Sequence, residues 1–432
     1  MTGYKTEPLK CWQKAKELRQ KHYTDYARAH EKGGLRWAGG AWSFDAIPEG
    51  LGPDVYPLSG EPYGATVSLS PIGPEALKAV ERQGYARDIC AYARNYLGSI
   101  LIDKYVLGGP FPKADFILQT HMCCTHVKWY QTAAELEGNI PSFFIDASVG
   151  PPPPWGELTD AKLEYIVGQM LDTIENLQKV TGRTFDVERF IDAVMYDMKS
   201  THFWAKTCEL NQAVPAPLDE KTMYSLYVLA TLHRSCAEVA DFYVELYGEV
   251  KDRVDRGIAA IPNERWRLMT DSQPPWGFLQ LWTDLAEKYG AVSIGSLYTF
   301  GLEGIFEMKD GDFVAKEILP KPATLEEACR VLAEWNLYRP QWPHFFSPRY
   351  KSDMMIAIAR QWKVDGVILH LNRGCEGSAM GVPENRLDLL EAGYPTIAFE
   401  GSMADTRDMD REGIRERVEA FMDMLQAQKG RR

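Results

Sequence analysis

At 432 residues, with 45% hydrophobic and 25% charged side chains, the chain has the composition of a globular protein and the length for two or three domains. A net charge of −12 with no basic face to offset it excludes a nucleic-acid partner, although a few local Lys or Arg side chains would still serve an anionic small ligand. No apolar run nears the roughly 20 residues that cross a bilayer, and no signal peptide follows Met1, so the expected setting is the cytoplasm and the eight cysteines are expected to stay reduced.

Residues 8 to 32 carry Leu9, Trp12, Ala15, Leu18, Tyr23 and Tyr26 at helical spacing, and Gly33-Gly34 ends the helix. The Gly- and Pro-rich stretch 35 to 69 allows short strands near 35–38 and 55–58. Helices are expected from Gly73 to about Gln83 and from Tyr85 to Leu97, the second carrying Cys90. The run Phe116-Ile117-Leu118 reads as a buried parallel strand, with Cys123 and Cys124 at its carboxyl end. A helix to Glu137 and a strand over Ser142-Phe143-Phe144-Ile145-Asp146 complete a βαβ unit.

Pro151 to Pro154 mark a linker. Residues 159 to 257 are helical in pattern, broken at Thr181-Gly182-Arg183 and Pro215-Ala216-Pro217. From Glu264 the chain returns to alternation. Strands are expected at 265–270, 291–299 and 396–400, and helices at 277–289, 324–336, 348–362, 384–391 and 411–428. Between them Val364 to Cys375 repeats the earlier arrangement of strand, polar turn and cysteine. The expectation is an α/β protein in three parts. Residues 1–155 form an N-terminal helix and a first α/β domain, 156–262 a helical domain, and 263–432 a second α/β domain.

The phosphate-binding Gly-x-x-x-x-Gly-Lys-Ser/Thr loop is missing, as are Gly-x-Gly-x-x-Gly after a strand, Gly-x-Ser-x-Gly, His-Glu-x-x-His and Cys-x-x-Cys. Loops at the carboxyl ends of parallel strands are where α/β proteins bind ligands. Cys90, Cys123 and Cys375 lie in three separate segments, two of them at such strand ends. Thiolates meeting in a cleft between domains suit an iron-sulfur cluster, and three ligands leave one iron open for chemistry. Packing is the ordinary role of a cytosolic cysteine, and Cys11, Cys208, Cys236 and Cys329, in helical apolar surroundings, are assigned to it. His121, His126 and His370 flank the two strand tips. His121 and His126 are candidate proton donors, with structural hydrogen bonding the alternative for each.

Three local motifs make the chain resemble the 2-hydroxyacyl-CoA dehydratase and benzoyl-CoA reductase family, and within it the larger cluster-bearing subunit of the ATP-dependent reductase. They are Asp88-Ile89-Cys90-Ala91-Tyr92, Cys123 through Tyr130, and Asn372-Arg373-Gly374-Cys375. The resemblance implies Rossmann-like domains with a 4Fe-4S cluster between them, held by Cys90, Cys123 and Cys375. Cys123 is chosen over Cys124 because Lys128 and Tyr130 follow it by five and seven residues. It further implies a smaller homologous cluster-bearing subunit, an ATP-hydrolysing iron-sulfur activator, reduced ferredoxin and an aryl-CoA substrate whose ring is dearomatised by low-potential electrons. Thr125, His126 and Trp129 depart from the dehydratase pattern and favour the reductase branch. A 2-hydroxyacyl-CoA dehydratase subunit, and a non-catalytic relay or scaffold subunit, are the alternatives.

Overall fold

The computed structural model describes residues 3–147, 158–340 and 347–429. Two four-stranded parallel sheets organise the chain. The first contains β1 (Leu35–Gly39), β2 (Val55–Ser59), β3 (Phe116–Thr120) and β4 (Ser142–Ile145), in the order β2-β1-β3-β4. The antiparallel hairpin β7 (Phe306–Lys309) and β8 (Asp312–Ala315) stands apart. The second sheet contains β5 (Trp266–Asp271), β6 (Ala291–Ser296), β9 (Gly366–Asn372) and β10 (Thr396–Gly401), in the order β10-β9-β5-β6. Read from its other edge, that order is second, first, third, fourth strand, the same as in the first sheet. Both faces of a parallel sheet are covered, which is why Phe116-Ile117-Leu118 and Val367-Ile368-Leu369 are continuous apolar runs, all buried.

The likeness of the two sheets reaches individual hydrogen bonds. Arg36, second in β1, donates its backbone N–H to Asp115, which immediately precedes β3 (2.8 Å), and Arg267, second in β5, donates in the same way to Asp365 before β9 (2.9 Å). The Arg36 Nε reaches the Tyr26 carbonyl and the Arg267 Nε that of Trp362. Each carboxylate thus locks the register of first strand against third. Each sheet also reverses strand order between those two strands, and crevices form at such switch points.

Helices Asp160–Thr181, Val187–Leu210, Glu220–Leu226, Val228–His233 and Ala237–Asp255 occupy the middle of the chain. Thr159 and Asp186 cap the first two, and Gly182, in the left-handed region at φ 68°, ends the first. This segment ties the sheets together. Buried Arg234 pairs with Asp45 (2.9 Å) and Asp197 (2.8 Å) and donates to the carbonyls of Ala41 and Ser43 in the loop after β1. Asn211 Nδ2 donates to Ile294 of β6 at 2.8 Å. The buried hydrophobic side chains form one continuous cluster through both sheets and the helices between.

Several elements differ from expectation. The helix over 85–97 starts only at Ala91 and runs to Leu101, so Cys90 precedes it. Residues 87 to 89 form a turn and bend instead, where Arg94 Nε donates to the Ile89 carbonyl and Gly374 approaches the carbonyls of Asp88 and Ile89. The strand expected to reach 299 stops at Ser296, whose hydroxyl and that of Thr299 form a reciprocal capping box that opens a short helix instead. Helix Gly60–Ser68 and the β7–β8 hairpin were not foreseen. The Pro151–Pro154 linker lies outside the described residues.

Candidate active-site cavity

Cys90, Cys123 and Cys375 line a single cavity of about 560 Å³ that opens across the carboxyl ends of both sheets. The local grammar is the same for all three. Cys90 immediately precedes helix Ala91–Leu101 and Cys123 precedes helix Cys124–Leu136. Cys375 precedes the short helix Glu376–Ala379. Amides of a helix's first turn lack intrahelical partners, so such ends favour negative charge. Cys123 and Cys375 follow β3 and β9, the third strand of each sheet, and so stand at equivalent places in the two halves.

Two close contacts fix the Cys375 loop. Gly374 adopts φ 79°, and a β-carbon there would lie 2.7 Å from the Ile89 carbonyl oxygen and 2.9 Å from that of Asp88. Only glycine brings these backbones together. Gln273, just beyond β5, donates its amide to Cys375 Sγ at 2.9 Å and accepts from Asn372 Nδ2 at 2.7 Å. Asn372 in turn accepts the Met403 N–H at 3.0 Å. Ser272 beside it is a buried non-glycine residue at φ 71°, strain of the kind functional loops retain. Behind them the buried pair Lys351–Asp271 (2.6 Å) anchors the carbonyl of Ser378.

Burial pushes the Cys90 thiol up to about 12, with the neighbouring Cys375 adding to the effect. Burial also raises Cys375, opposed by hydrogen bonds from Ser378 and Gln273. Thiols in such surroundings become thiolates when a cation binds them. Among the described residues, no three His, Cys, Asp or Glu side chains form a group that could hold a metal ion. The donor set the cavity offers at these three positions is all sulfur, which suits iron-sulfur chemistry better than a hard, oxygen-seeking cation.

The remaining walls are aromatic. Trp276 Nε1 donates to the Tyr92 hydroxyl at 2.6 Å, and Tyr224 packs against Trp276 with ring centroids 5.7 Å apart. Tyr227 and Tyr298 place their hydroxyls 3.3 Å apart. Burial raises all four phenols, which stay neutral. His126 is buried in this wall, its Nε2 paired with Glu61, whose other oxygen accepts the Ala41 N–H at 2.8 Å. The His126 Nδ1 is buried and has no partner among the described residues. At the mouth stand the exposed Lys16 and Arg19 of helix Trp12–Arg28.

The other histidine candidates stand elsewhere. His121 is about half exposed, lies 3.9 Å from Asp146 and is not part of the cavity wall. His370 is buried, stacks on Phe399 and meets the Gln273 carbonyl through Nδ1, a structural role. Sequence reasoning missed Glu61, Gln273, Tyr92 and Trp276 as cavity residues. Only the polar Gln273 between a strand and Pro274-Pro275 carried a local signal.

Two parallel sheets of one topology, with cysteines at corresponding strand ends around an aromatic cavity, define a class of α/β proteins with a cleft between two halves of one chain. The family described as 2-hydroxyglutaryl-CoA dehydratase, D-component, matches residues 42–425, and the chain belongs to that family. It is 24% identical to the (R)-2-hydroxyisocaproyl-CoA dehydratase alpha subunit of Clostridioides difficile over 96% of this chain and 95% of the relative. It is likewise 24% identical to the (R)-phenyllactyl-CoA dehydratase alpha subunit of Clostridium sporogenes, covering 87% and 85%. Identity to a benzoyl-CoA reductase subunit of Thauera aromatica is 22%, covering 80% and 78%. Among the described residues no helix is long and apolar enough to cross a membrane.

Proposed function

We propose that this chain is the cluster-bearing subunit of a cytoplasmic, ATP-dependent aryl-CoA reductase, with Cys90, Cys123 and Cys375 as the ligands of a 4Fe-4S cluster. The observation that carries the reading is the convergence of those three cysteines on one cavity with aromatic walls and a buried His126–Glu61 pair. When bound, such a cluster supplies single electrons at low potential, the range of protein-held clusters reaching down to about −700 mV. The chain's own residues do the rest. Tyr92, Tyr224 and Trp276 offer faces against which a flat ring stacks while water is excluded. Lys16 and Arg19 at the mouth suit the phosphates of a CoA thioester. His126, oriented by Glu61, holds the proton that must accompany an electron to the ring, and Nδ1 is the atom that carries it. Two α/β domains flanking a helical domain, residues 1–155, 263–432 and 156–262, form the scaffold in this reading.

The relatives are named as subunits of larger enzymes, which supports a hetero-oligomer with a homologous second subunit. An ATP-hydrolysing iron-sulfur activator fed by ferredoxin completes the scheme, consistent with the missing nucleotide motifs here. A second reading, a 2-hydroxyacyl-CoA dehydratase subunit, is favoured by the identities to dehydratase alpha subunits, one of them acting on an aryl-bearing substrate. The purified complex, assayed oxygen-free with reduced ferredoxin and ATP, decides between them. Loss of benzoyl-CoA with formation of a cyclic dienoyl-CoA supports the reductase. Dehydration of (R)-phenyllactyl-CoA with benzoyl-CoA untouched overturns it.

A further inference from the structure

A separate cavity of about 440 Å³ lies against β6, the edge strand of the second sheet, and helix Gln280–Tyr289. It shares no lining residue with the larger cavity. Glu220, fully buried as the first residue of helix Glu220–Leu226, is in its wall together with Ser293. Tyr224, one turn further along the same helix, lines the larger cavity. The Thr270 hydroxyl, near the end of β5, donates to the Glu220 carboxylate at 2.6 Å and lies 3.4 Å from the Tyr224 hydroxyl. Carboxyl, hydroxyl and phenol thus form a row from one cavity to the other, its longest step between Thr270 and Tyr224.

The partners of Glu220 set it apart from other buried acids of the chain. Asp45 and Asp197 pair with Arg234, Glu303 with Arg339 and Asp271 with Lys351, and a cation in contact offsets the cost of burying a carboxylate. Among the described residues no cation pairs with Glu220. It meets the hydroxyls of Thr270, Ser293 and Thr299, while the neighbouring Lys221 donates to Thr283 at 3.0 Å. A guanidinium only donates, whereas a hydroxyl donates and accepts and so passes a proton along. Burial raises the Glu220 carboxyl above the usual glutamate range, opposed by the hydroxyls around it, so it takes up a proton more readily than an exposed glutamate. The other titratable groups around the separate cavity are Asp219, Lys221 and Glu287, and Tyr224 is the one toward the larger cavity.

We infer that Tyr224 delivers one of the two protons of ring reduction and that Glu220 reloads it through Thr270 from water in the separate cavity. The inference rests on the aryl-CoA reading. A thioester that fills the larger cavity excludes water from it, so protons need an entry of their own. Reducing a ring to a diene takes two electrons and two protons, and buried His126 holds one of those protons. For the other, the Tyr224 O–H bond breaks as a C–H bond forms on the ring. The phenolate takes the Thr270 hydroxyl proton, the Thr270 oxygen takes that of the Glu220 carboxyl, and the Glu220 carboxylate takes one from water. The electrons come from reduced ferredoxin, and no protein bond is changed after the cycle.

The test compares Glu220→Gln and Glu220→Asp in the oxygen-free complex, assayed with benzoyl-CoA, reduced ferredoxin and ATP in H2O and in D2O. Gln keeps the shape and an acceptor oxygen but cannot carry the proton, whereas Asp is shorter and can. Glu220→Gln is expected to lower kcat about 10²-fold with KM, iron content and EPR spectrum unchanged, and to enlarge the solvent isotope effect on kcat; Glu220→Asp retains more turnover. Turnover in Gln equal to or above that in Asp, or an unchanged isotope effect, overturns the proposal. Should Glu220→Gln not fold, Thr270→Val, expected to lose turnover, is set against Thr270→Ser, expected to keep it, and equal turnover in the two overturns the proposal. A substrate-free readout separates this relay from the aryl-CoA reading. Near pH 5, just above the usual glutamate value of about 4.3, the infrared band of a protonated carboxyl that Glu220→Gln removes is expected to shift promptly on transfer of the native protein to D2O. No such band, or one that exchanges only in urea, overturns the relay whichever thioester the enzyme takes. If the unaltered complex leaves benzoyl-CoA untouched, the aryl-CoA reading falls and the infrared result alone decides the relay.

Discussion

Gln273 and Cys375 meet across adjacent strand ends, the glutamine amide donating to the cysteine sulfur at 2.9 Å. Hydrogen bonds to cluster sulfurs raise reduction potential, because they stabilise the added negative charge. A hydrogen bond to a charged group contributes about 1.5–3 kcal/mol, and about 1.4 kcal/mol corresponds to 59 mV for one electron. Gln273→Leu is therefore expected to lower the midpoint potential by up to roughly 60–120 mV. EPR-monitored potentiometric titration measures it, and an unchanged potential would detach Gln273 from the cluster.

Cys90→Ser, Cys123→Ser and Cys375→Ser are each expected to lose most of the iron and sulfide of the oxygen-free protein. Cys11→Ser and Cys124→Ser should retain it. Cys11 is buried at the start of the first helix, its thiol pushed up to about 12 by burial and by Glu249, far from the other three in role. Equal iron in the Cys123 and Cys124 variants would show that the ligand register is shifted by one.

Gly374→Ala leaves every cysteine in place but sets a β-carbon against the carbonyls of Asp88 and Ile89, at a φ that alanine adopts only with strain. Relief requires the Cys375 loop to move away from Cys90, at a cost of about 1–3 kcal/mol. Iron content should fall well below that of the unaltered protein while the thermal midpoint drops by only a few degrees. Full iron loading in the alanine variant would mean that the close approach is incidental.

His126→Gln keeps a polar side chain beside Glu61 but cannot carry a second proton. Loss of a positioned proton donor lowers turnover by about 10²–10⁴. The expected result is that fall in kcat, with iron content and the EPR spectrum of the reduced complex unchanged. His121→Gln, at a half-exposed position outside the cavity, should leave kcat within a factor of about two, the usual limit for a surface change.

Asp405 fastens the second sheet to the helix that follows Cys90, pairing with Arg94 at 2.9 Å and Arg407 at 2.6 Å. Burial opposes its ionisation, yet hydrogen bonds from Arg407 and Arg94 prevail and hold the carboxyl at about 2. A carboxyl lowered on folding adds stability above its unfolded value near 3.9. That stability is lost as the pH falls from about 4 through about 2. Asp405→Asn should cost about 3 kcal/mol at pH 7, since it also leaves buried Arg94 only the more distant Glu81, 3.8 Å away, as a carboxylate partner, and much less near pH 2. Urea midpoints at the two pH values check this. A cost that does not change with pH would assign the loss to packing alone.

Strand and helix identities were legible where a local rule acts alone. The apolar runs at 116–118 and 367–369, and the break at Thr181-Gly182-Arg183 between two middle helices, are properties of neighbouring residues. The element boundaries at Cys90 and Ser296 were not legible, because Gly374 in the first case and a two-hydroxyl cap in the second redirect the backbone. The repeated Arg–Asp register was also hidden. Arg36 and Asp115 are separated by 79 residues and Arg267 and Asp365 by 98, and no short window contains either pair.

The order of residues by itself determined two parallel sheets, a helical stretch between them, and which cysteines end strands, since periodicity and turn residues act over a few positions. Only the tertiary structure decided that Cys90, Cys123 and Cys375 share one cavity and that Glu61 faces His126. Those are meetings between residues distant along the chain. They are set by how helices and sheets bury their apolar faces together, which no local pattern encodes.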